Sequence, residues 1–335
     1  MQKKQKIILA IFSSLCFVGA LFSIVLTLKN GKVLSITGEK ENLLKTQEVK
    51  RSPFSGMPCE NPDGRAFSVV LAQYAETMPL SGISFADIVV EGPVANPDGI
   101  ARLLAIYQCQ NPLEIGSIRS VRPYMVDLAL SFDTIFASWG GCNAGVQRIK
   151  DLGLDWLDAR VLISSGVFFR KRNVLAPHNG FTSLDRLKAA AKNSKMRETN
   201  QFEGYQFLKE EEVILGKNDQ KIEIYYYNPV KYIYDSKTGN YLRFWNGEKM
   251  KDRNTLKQVW TKNVVIMKTK MGILSSGVVD VKIIDTGEAT IYQAGKEIKG
   301  MWQKENSRAR LVFFDKEGKE IKFVPGPVWI ELVSN

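Results

Sequence analysis

The chain has 335 residues, 24% charged and 44% hydrophobic, with 46 Lys and Arg against 35 Asp and Glu, one His and four Cys. This composition excludes a disordered polyelectrolyte, a polytopic membrane protein and a disulfide scaffold, and the length suits two domains. A single imidazole excludes metal sites and catalysis built from two or three histidines, while a formal charge of +11 directs attention to anionic partners.

Lys3, Lys4 and Lys6 precede an uncharged, proline-free run over residues 7–28. At about 1.5 Å per residue, a helix of that length crosses the roughly 30 Å hydrocarbon core of a bilayer. The leading lysines favour keeping residues 1–6 in the cytoplasm, so residues 7–28 are expected to be a single-pass signal anchor with the rest of the chain extracytoplasmic. The alternative is a cleaved signal peptide, but Leu26-Thr27-Leu28-Lys29 offers no small-x-small cleavage site. Cys16 lies mid-run behind Leu15, where a lipidation site wants a small residue. Residues 29–52, polar and lysine-rich, read as a stalk. A basic domain outside the cytoplasm meets lipid head groups, polyprenyl phosphates and wall polymers rather than nucleic acid; an ordinary solvated surface also carries a mild basic excess.

From Pro53 apolar runs alternate with helical patterns, and residues 53–200 are expected to form an α/β layered domain. Residues 67–72, 84–91, 102–108 and 133–139 read as strands, the second beginning as a capped short element. A helix is predicted over residues 127–132 after Pro123, a favoured first-turn residue. Others are predicted over 145–152 and 184–195, the last capped by Thr182 or Ser183. Residues 201–222 form the predicted connection. From 223 to 335 short alternating strands recur between turns near 237–240, Gly287, Gly295 and Gly318, which predicts a mostly antiparallel β-rich domain. The expected fold class is α+β: an N-terminal α/β layered domain, then a mostly antiparallel β-rich domain, preceded by one transmembrane helix.

Several segments together resemble a known family. They are the run from Leu80-Ser81-Gly82 to Val89-Val90-Glu91, Ile115-Gly116-Ser117-Ile118-Arg119-Ser120-Val121-Arg122-Pro123-Tyr124, and Gly140-Gly141 after a strand. Ala176-Pro177-His178-Asn179 with Thr182-Ser183, Gly300-Met301-Trp302-Gln303-Lys304 and Pro325-Gly326-Pro327-Val328-Trp329-Ile330 complete the set. In order, over residues 53–333, they resemble the YerB-type bacterial envelope lipoproteins. The resemblance implies two domains of unknown function, exported and attached to the bacterial cytoplasmic membrane, and it carries no catalytic assignment. The chain departs from the pattern in lacking a credible lipidation Cys, and in having Cys142 where relatives tend to carry a small hydroxyl residue.

The strongest chemical signal is an arginine cluster. Arg119 and Arg122 lie three apart before Pro123, and Arg102 lies one predicted strand upstream. Guanidinium forks converging near a helix N-terminus suit a phosphate or carboxylate. The alternative is internal pairing of Arg102 and Arg122 with Asp87, Glu91 or Asp127. His178, in a loop with Asn179, is the candidate general acid or base, or a tie within that loop. Ser138, Gly140 and Gly141 follow a strand where backbone N–H groups can approach a ligand, without dinucleotide or P-loop spacing. Asp87 and Glu91 complete the candidate ligand-binding set. Cys142 after Gly-Gly could be a nucleophile with His178 as base, or pair with Cys109 if their strands are adjacent. Asp87, Glu91 and Asp127 match no metal-loop spacing, and neither a metal nor a cofactor is expected. Three readings follow: a membrane-tethered module holding an anionic envelope ligand, a polyprenyl phosphate or a teichoic or other wall polymer; an envelope phosphotransferase or hydrolase using the arginines and His178; or a non-catalytic assembly factor. The second draws on a weaker likeness to LytR-CpsA-Psr ligases, whose Arg-Asp element is absent here. Nothing in the chain sets an oligomeric state.

Overall fold

Short β-branched runs with no polar face need cover on both sides, and they build the centre of the molecule. The computed structural model describes residues 49–335 except Asp98 and Asn218. The predicted anchor at 7–28 and the stalk up to residue 48 lie outside the described residues. The first half contains strands β1 (Phe67–Ala72), β2 (Ile88–Pro93), β3 (Ala101–Tyr107), β4 (Ile115–Gly116), β5 (Ile135–Ser138), β6 (Trp156–Asp158), β7 (Phe169–Arg170) and β8 (Gly180–Thr182). Helices α1 (Pro123–Ser131), α2 (Asn143–Leu152), α3 (Ala159–Leu162) and α4 (Leu184–Asn193) lie between and after them. The predicted helix at 127–132 starts earlier, with Pro123 as its first residue, and Ser183 rather than Thr182 caps α4 by accepting from the Arg186 N–H.

The second half is almost all strand: β9 (Gln206–Phe207), β10 (Lys221–Ile224), β11 (Val230–Asp235), β12 (Asn240–Trp245), β13 (Glu248–Lys249), β14 (Trp260–Thr261) and β15 (Asn263–Thr269). It continues with β16 (Met271–Ile273), β17 (Val279–Val281), β18 (Asp285–Gln293), β19 (Lys296–Lys304), β20 (Val312–Asp315), β21 (Lys322–Phe323) and β22 (Val328–Ser334). The fold is a two-domain α+β one, rich in strand and poor in helix. Among the described residues no helix is long and apolar enough to cross a membrane.

The chain-order reading does not contain the way the halves join. One ten-stranded mixed sheet runs β20-β19-β18-β15-β22-β2-β3-β1-β5-β6. The last strand, β22, lies between β15 and β2 and is parallel to both. One face of this sheet is covered by α1, with Tyr124, Met125 and Leu128 against Val70, Leu104, Val265 and Ile330. The other is covered by α4 and the five-stranded sheet β10–β14, with Leu187, Tyr232 and Tyr241 among the residues packed with Val69, Leu103 and Trp329.

Glu91 of β2 and Glu331 of β22 are register partners, so two carboxyls stand side by side in the interior. Arg243 of β12 reaches between them, bonded to Glu91 and, at 2.8 Å, to Glu331, and all three side chains are wholly buried. The guanidinium also stacks 4.1 Å from the Trp329 ring centroid, and the Tyr232 hydroxyl donates to Glu331 at 2.5 Å. Burial pushes the Glu91 carboxyl well above its ordinary range, and neighbouring Glu331 pushes it further, against the pull of Arg243. Glu91 Oε1 and Glu331 Oε2 have no partner among the described residues.

A disulfide joins Cys59 and Cys109, closing a loop of 50 residues, while Cys142 is free. The anticipated alternative, Cys109 with Cys142, is therefore corrected: Cys109 lies just beyond β3 and meets the segment leading into β1, whereas Cys142 caps α2 beyond β5.

Three outcomes follow for stability. Arg243→Met, which strands two buried carboxyls, should cost about 3–5 kcal/mol in urea denaturation. Folded Glu91 keeps its proton above the pH at which the unfolded chain releases it, so its contribution falls as pH rises from the ordinary glutamate value towards the raised one. Glu91→Gln keeps the donor and loses that dependence, so its stability relative to wild type should be greater at pH 8 than at pH 5. Separately, Cys59→Ser should lower stability by about 3–4 kcal/mol, from the loop entropy the bridge removes; an unchanged denaturation midpoint would show that the bridge does not constrain the unfolded chain.

Candidate anion site

The arginines are brought together by the end of β1. After β4, residues 117–121 run back along it: the Ala72 N–H donates to Ser117 O at 2.9 Å and the Arg119 N–H to Val70 O at 2.8 Å. The same segment is held by the turn after β5, where the Trp139 N–H donates to Arg119 O and the Val121 N–H to Gly140 O, each at 3.0 Å. Arg119 is thus clamped between the carboxyl ends of β1 and β5, which are parallel neighbours. Arg122 takes the extended cap position before Pro123 at the start of α1. Arg102 enters from β3, in register with Ala72 and Gly92. This is the strand-end, helix-start corner at which open α/β sheets commonly bind ligands.

Arg102 is 5% exposed. Its Nη1 donates to Ser120 O at 2.6 Å, while its Nε has no partner among the described residues. Burial first, then the nearby Arg122 and Arg119 charges, push its guanidinium down to about 10, with Tyr74 opposing. Arg119 stacks 5.8 Å from the Tyr74 ring centroid and donates to Pro177 O at 3.3 Å, and its Nε is likewise unpartnered. Arg122 donates to Val94 O and Val121 O. None of the three makes a salt bridge among the described residues, although fifteen other pairs do.

The carboxylates that were candidate partners are engaged elsewhere. Asp127 is held by Arg148 through two bonds of 2.6 and 2.7 Å. Glu91 belongs to Arg243, and because it pairs with Leu103 on β3 it points to the opposite sheet face from Arg102. Asp87 lies at the far end of β2, accepting from the Ser52 and Ser55 hydroxyls and the Gln108 N–H, and burial raises its carboxyl. Asp87 and Glu91 therefore do not join the arginines, and internal pairing of the arginines with these acids does not occur.

His178 does join them. Its ring packs against Tyr74, tilted by 51° with centroids 5.0 Å apart, its Nδ1 has no partner among the described residues, and its carbonyl accepts from the Ser117 hydroxyl. Partial burial and then the Arg119 charge lower its pKa, which keeps the imidazole neutral at pH 7. Asn179 is turned to Arg170, whose Nη1 donates to its Oδ1 at 2.6 Å.

The Gly-Gly turn serves the fold. The Ser138 hydroxyl donates to Gly140 O and accepts from Trp156 Nε1. The Gly140 N–H goes to Asp158 Oδ1 at 3.0 Å, and its φ of +61° together with the Arg160 side chain leaves no place for a Cβ. A Cβ on Gly141 would meet Val121 Cγ1 at 2.3 Å. The Cys142 thiol lies 3.7 Å from Val121 O, to which it can donate. Ser138, Gly140 and Gly141 thus support the clamp around Arg119. Tyr74, which sequence reading passed over, touches both Arg119 and His178; its one signal was a phenol directly after a buried strand.

A cleft of about 470 Å³ lined by Glu76, Met78, Lys171, Leu175 and Arg253 lies alongside, Glu76 being a charge felt by His178. A larger hollow of about 630 Å³ on the outer face of β18–β20 lies away from the arginines; the unpaired buried charge, not volume, singles out the site.

Residues 54–197 match the family described as "Protein of unknown function (DUF3048) N-terminal domain", and residues 221–330 match its "C-terminal domain". The chain is 29% identical over 313 residues to "Putative lipoprotein YerB" of Bacillus subtilis (strain 168), covering 89% of this chain and 90% of that protein. The crystal structure of YerB protein from Bacillus subtilis superimposes with a TM-score of 0.76 over 85% of this chain and 96% of that one. With both halves matched in order and the fold shared, the chain belongs to the two-domain DUF3048 family, whose function is unknown.

Proposed function

We propose that this is an extracytoplasmic, membrane-attached binding protein that holds a phosphate-bearing envelope ligand, a lipid-linked phosphate or an anionic wall polymer, at Arg102, Arg119 and Arg122. The observation that carries the reading is Arg102, a guanidinium kept in the interior with a carbonyl and the Tyr74 phenol as polar neighbours, no carboxylate partner among the described residues, and two more arginines beside it. Burying a charge without its counter-ion costs several kcal/mol, a penalty an arriving anion removes. The extracytoplasmic placement is supported by the Cys59–Cys109 bridge, which suits an oxidising compartment, and by the lipoprotein naming of the relative. A second reading, phosphoryl transfer, draws on His178, whose Nδ1 has no partner among the described residues and whose pKa is lowered by partial burial and Arg119, leaving it available as a base.

For the binding reading, Arg102→Met should stabilise the free protein, since the charge it removes costs on the order of 1–3 kcal/mol where it is buried. Pyrophosphate should raise the wild-type denaturation midpoint, by about 2.7 kcal/mol of stability at a hundredfold excess over Kd, and leave the midpoint of Arg102→Met unmoved. Loss of stability in Arg102→Met with an undiminished pyrophosphate response would remove the proposed site. Arg119→Ala with Arg122→Ala should likewise abolish binding of undecaprenyl phosphate or teichoic acid. The transfer reading requires turnover of a lipid-linked glycan that is lost in His178→Ala.

A further inference from the structure

The charge of the described part is unevenly placed. Residues 49–335 hold 39 basic and 32 acidic side chains, and the segment 166–197 alone holds eight basic and one acidic, so the remainder is balanced. This segment contains β7, β8 and α4. Lys171 pairs with Glu114 and Arg197 with Asp133; Arg170, Arg172, Arg186, Lys188, Lys192 and Lys195 are exposed and make no salt bridge among the described residues. The helix period produces this face: Leu184, Leu187, Ala190 and Ala191 turn into the core, which leaves the basic residues of α4 outward.

Segments bordering these elements, two loops and α3, carry large aliphatic side chains into solvent. Leu113 is 87% exposed, on a loop held to α4 by Asn111 donating to Asp185 at 2.9 Å. Leu175, 73% exposed, is on the loop between β7 and β8, and Val161, 71% exposed, precedes the turn whose Gly166 carbonyl accepts from Arg186. Solvation accounts for the lysines but not for aliphatic residues among them. A linear polyanion also accounts for the charge alone. An anionic bilayer accommodates both, with lipid phosphates against the basic side chains and the head-group boundary around the aliphatic ones.

We infer that the face built by β7, β8 and α4 docks on anionic phospholipid, with Leu113, Leu175 and Val161 entering the interface. Pro177 and His178 belong to the Leu175 loop, so docking brings the arginine site to head-group level; the docking itself does not depend on that site binding anything.

The full-length chain in phosphatidylcholine nanodiscs, with or without one-third phosphatidylglycerol, tests this by hydrogen exchange over residues 171–195. Docking predicts protection only with phosphatidylglycerol, weakened by high salt and reduced about fivefold for each charge removed in Lys188→Gln, Lys192→Gln and their double variant. Leu113→Asp should reduce it as well, with the pyrophosphate response and denaturation midpoint of all variants unchanged. Equal exchange in both lipid compositions, or the same protection from soluble polyphosphate without a bilayer, would overturn the proposal.

Discussion

The structure depends on where its last strand goes. β22 occupies the centre of the ten-stranded sheet, between a strand from each half of the chain. Its insertion places Glu331 beside Glu91, and that pair is tolerable in the interior only because Arg243 arrives from the second sheet. Three elements far apart in sequence are thereby fixed together by charge as well as by apolar burial. A buried ion network adds little net stability over a hydrophobic replacement, but a shift by one residue would strand its charges, so it defines register.

The arginine cluster follows from that register. β2 and β3 are held in place by β22, and Arg102 lies opposite the last residues of β2. From there the main-chain bonds of residues 117–121 carry Arg119 and Arg122 to the same corner. The second half of the chain thus contributes no arginine to the cluster, yet it secures the strand that presents Arg102. It also grips the helical side: Lys304 donates to three carbonyls of the 306–309 loop, and Ser131 of α1 donates to Ala309.

Much of this was legible along the chain. Runs such as Phe67–Ala72 are apolar without alternation, and they are strands buried on both faces; β11 and β12 alternate and are half-wet. Arg119, Arg122 and Pro123 announced a guanidinium pair at a helix start because their spacing is local. The order of the sheet was not legible, since a parallel strand neighbour can come from any distance in sequence, and Val328–Ser334 reads the same whether it lies at an edge or at the centre. For the same reason Glu91 looked like an arginine-cleft residue: its neighbour across β2 and β22 was not visible, nor the face on which it would point. Cys109 had two partners open to it, and only the path of residues 49–66 decides between them.

The buried cations also separate structure from function within this one molecule. Arg243 has two carboxylates, Arg65 has Asp133 and Asp155, and Lys304 has three carbonyl oxygens. Each ties parts of the fold together; the two arginines have carboxylate partners, whereas Lys304 has carbonyls alone and burial lowers its pKa to about 8. Arg102 is as buried as these but has one carbonyl, the Tyr74 phenol, an idle Nε and two positive neighbours. Folding alone would favour an apolar residue at that position. A charge kept where it weakens the fold, with two further guanidiniums lacking carboxylate partners beside it, is what the proposed anion would compensate.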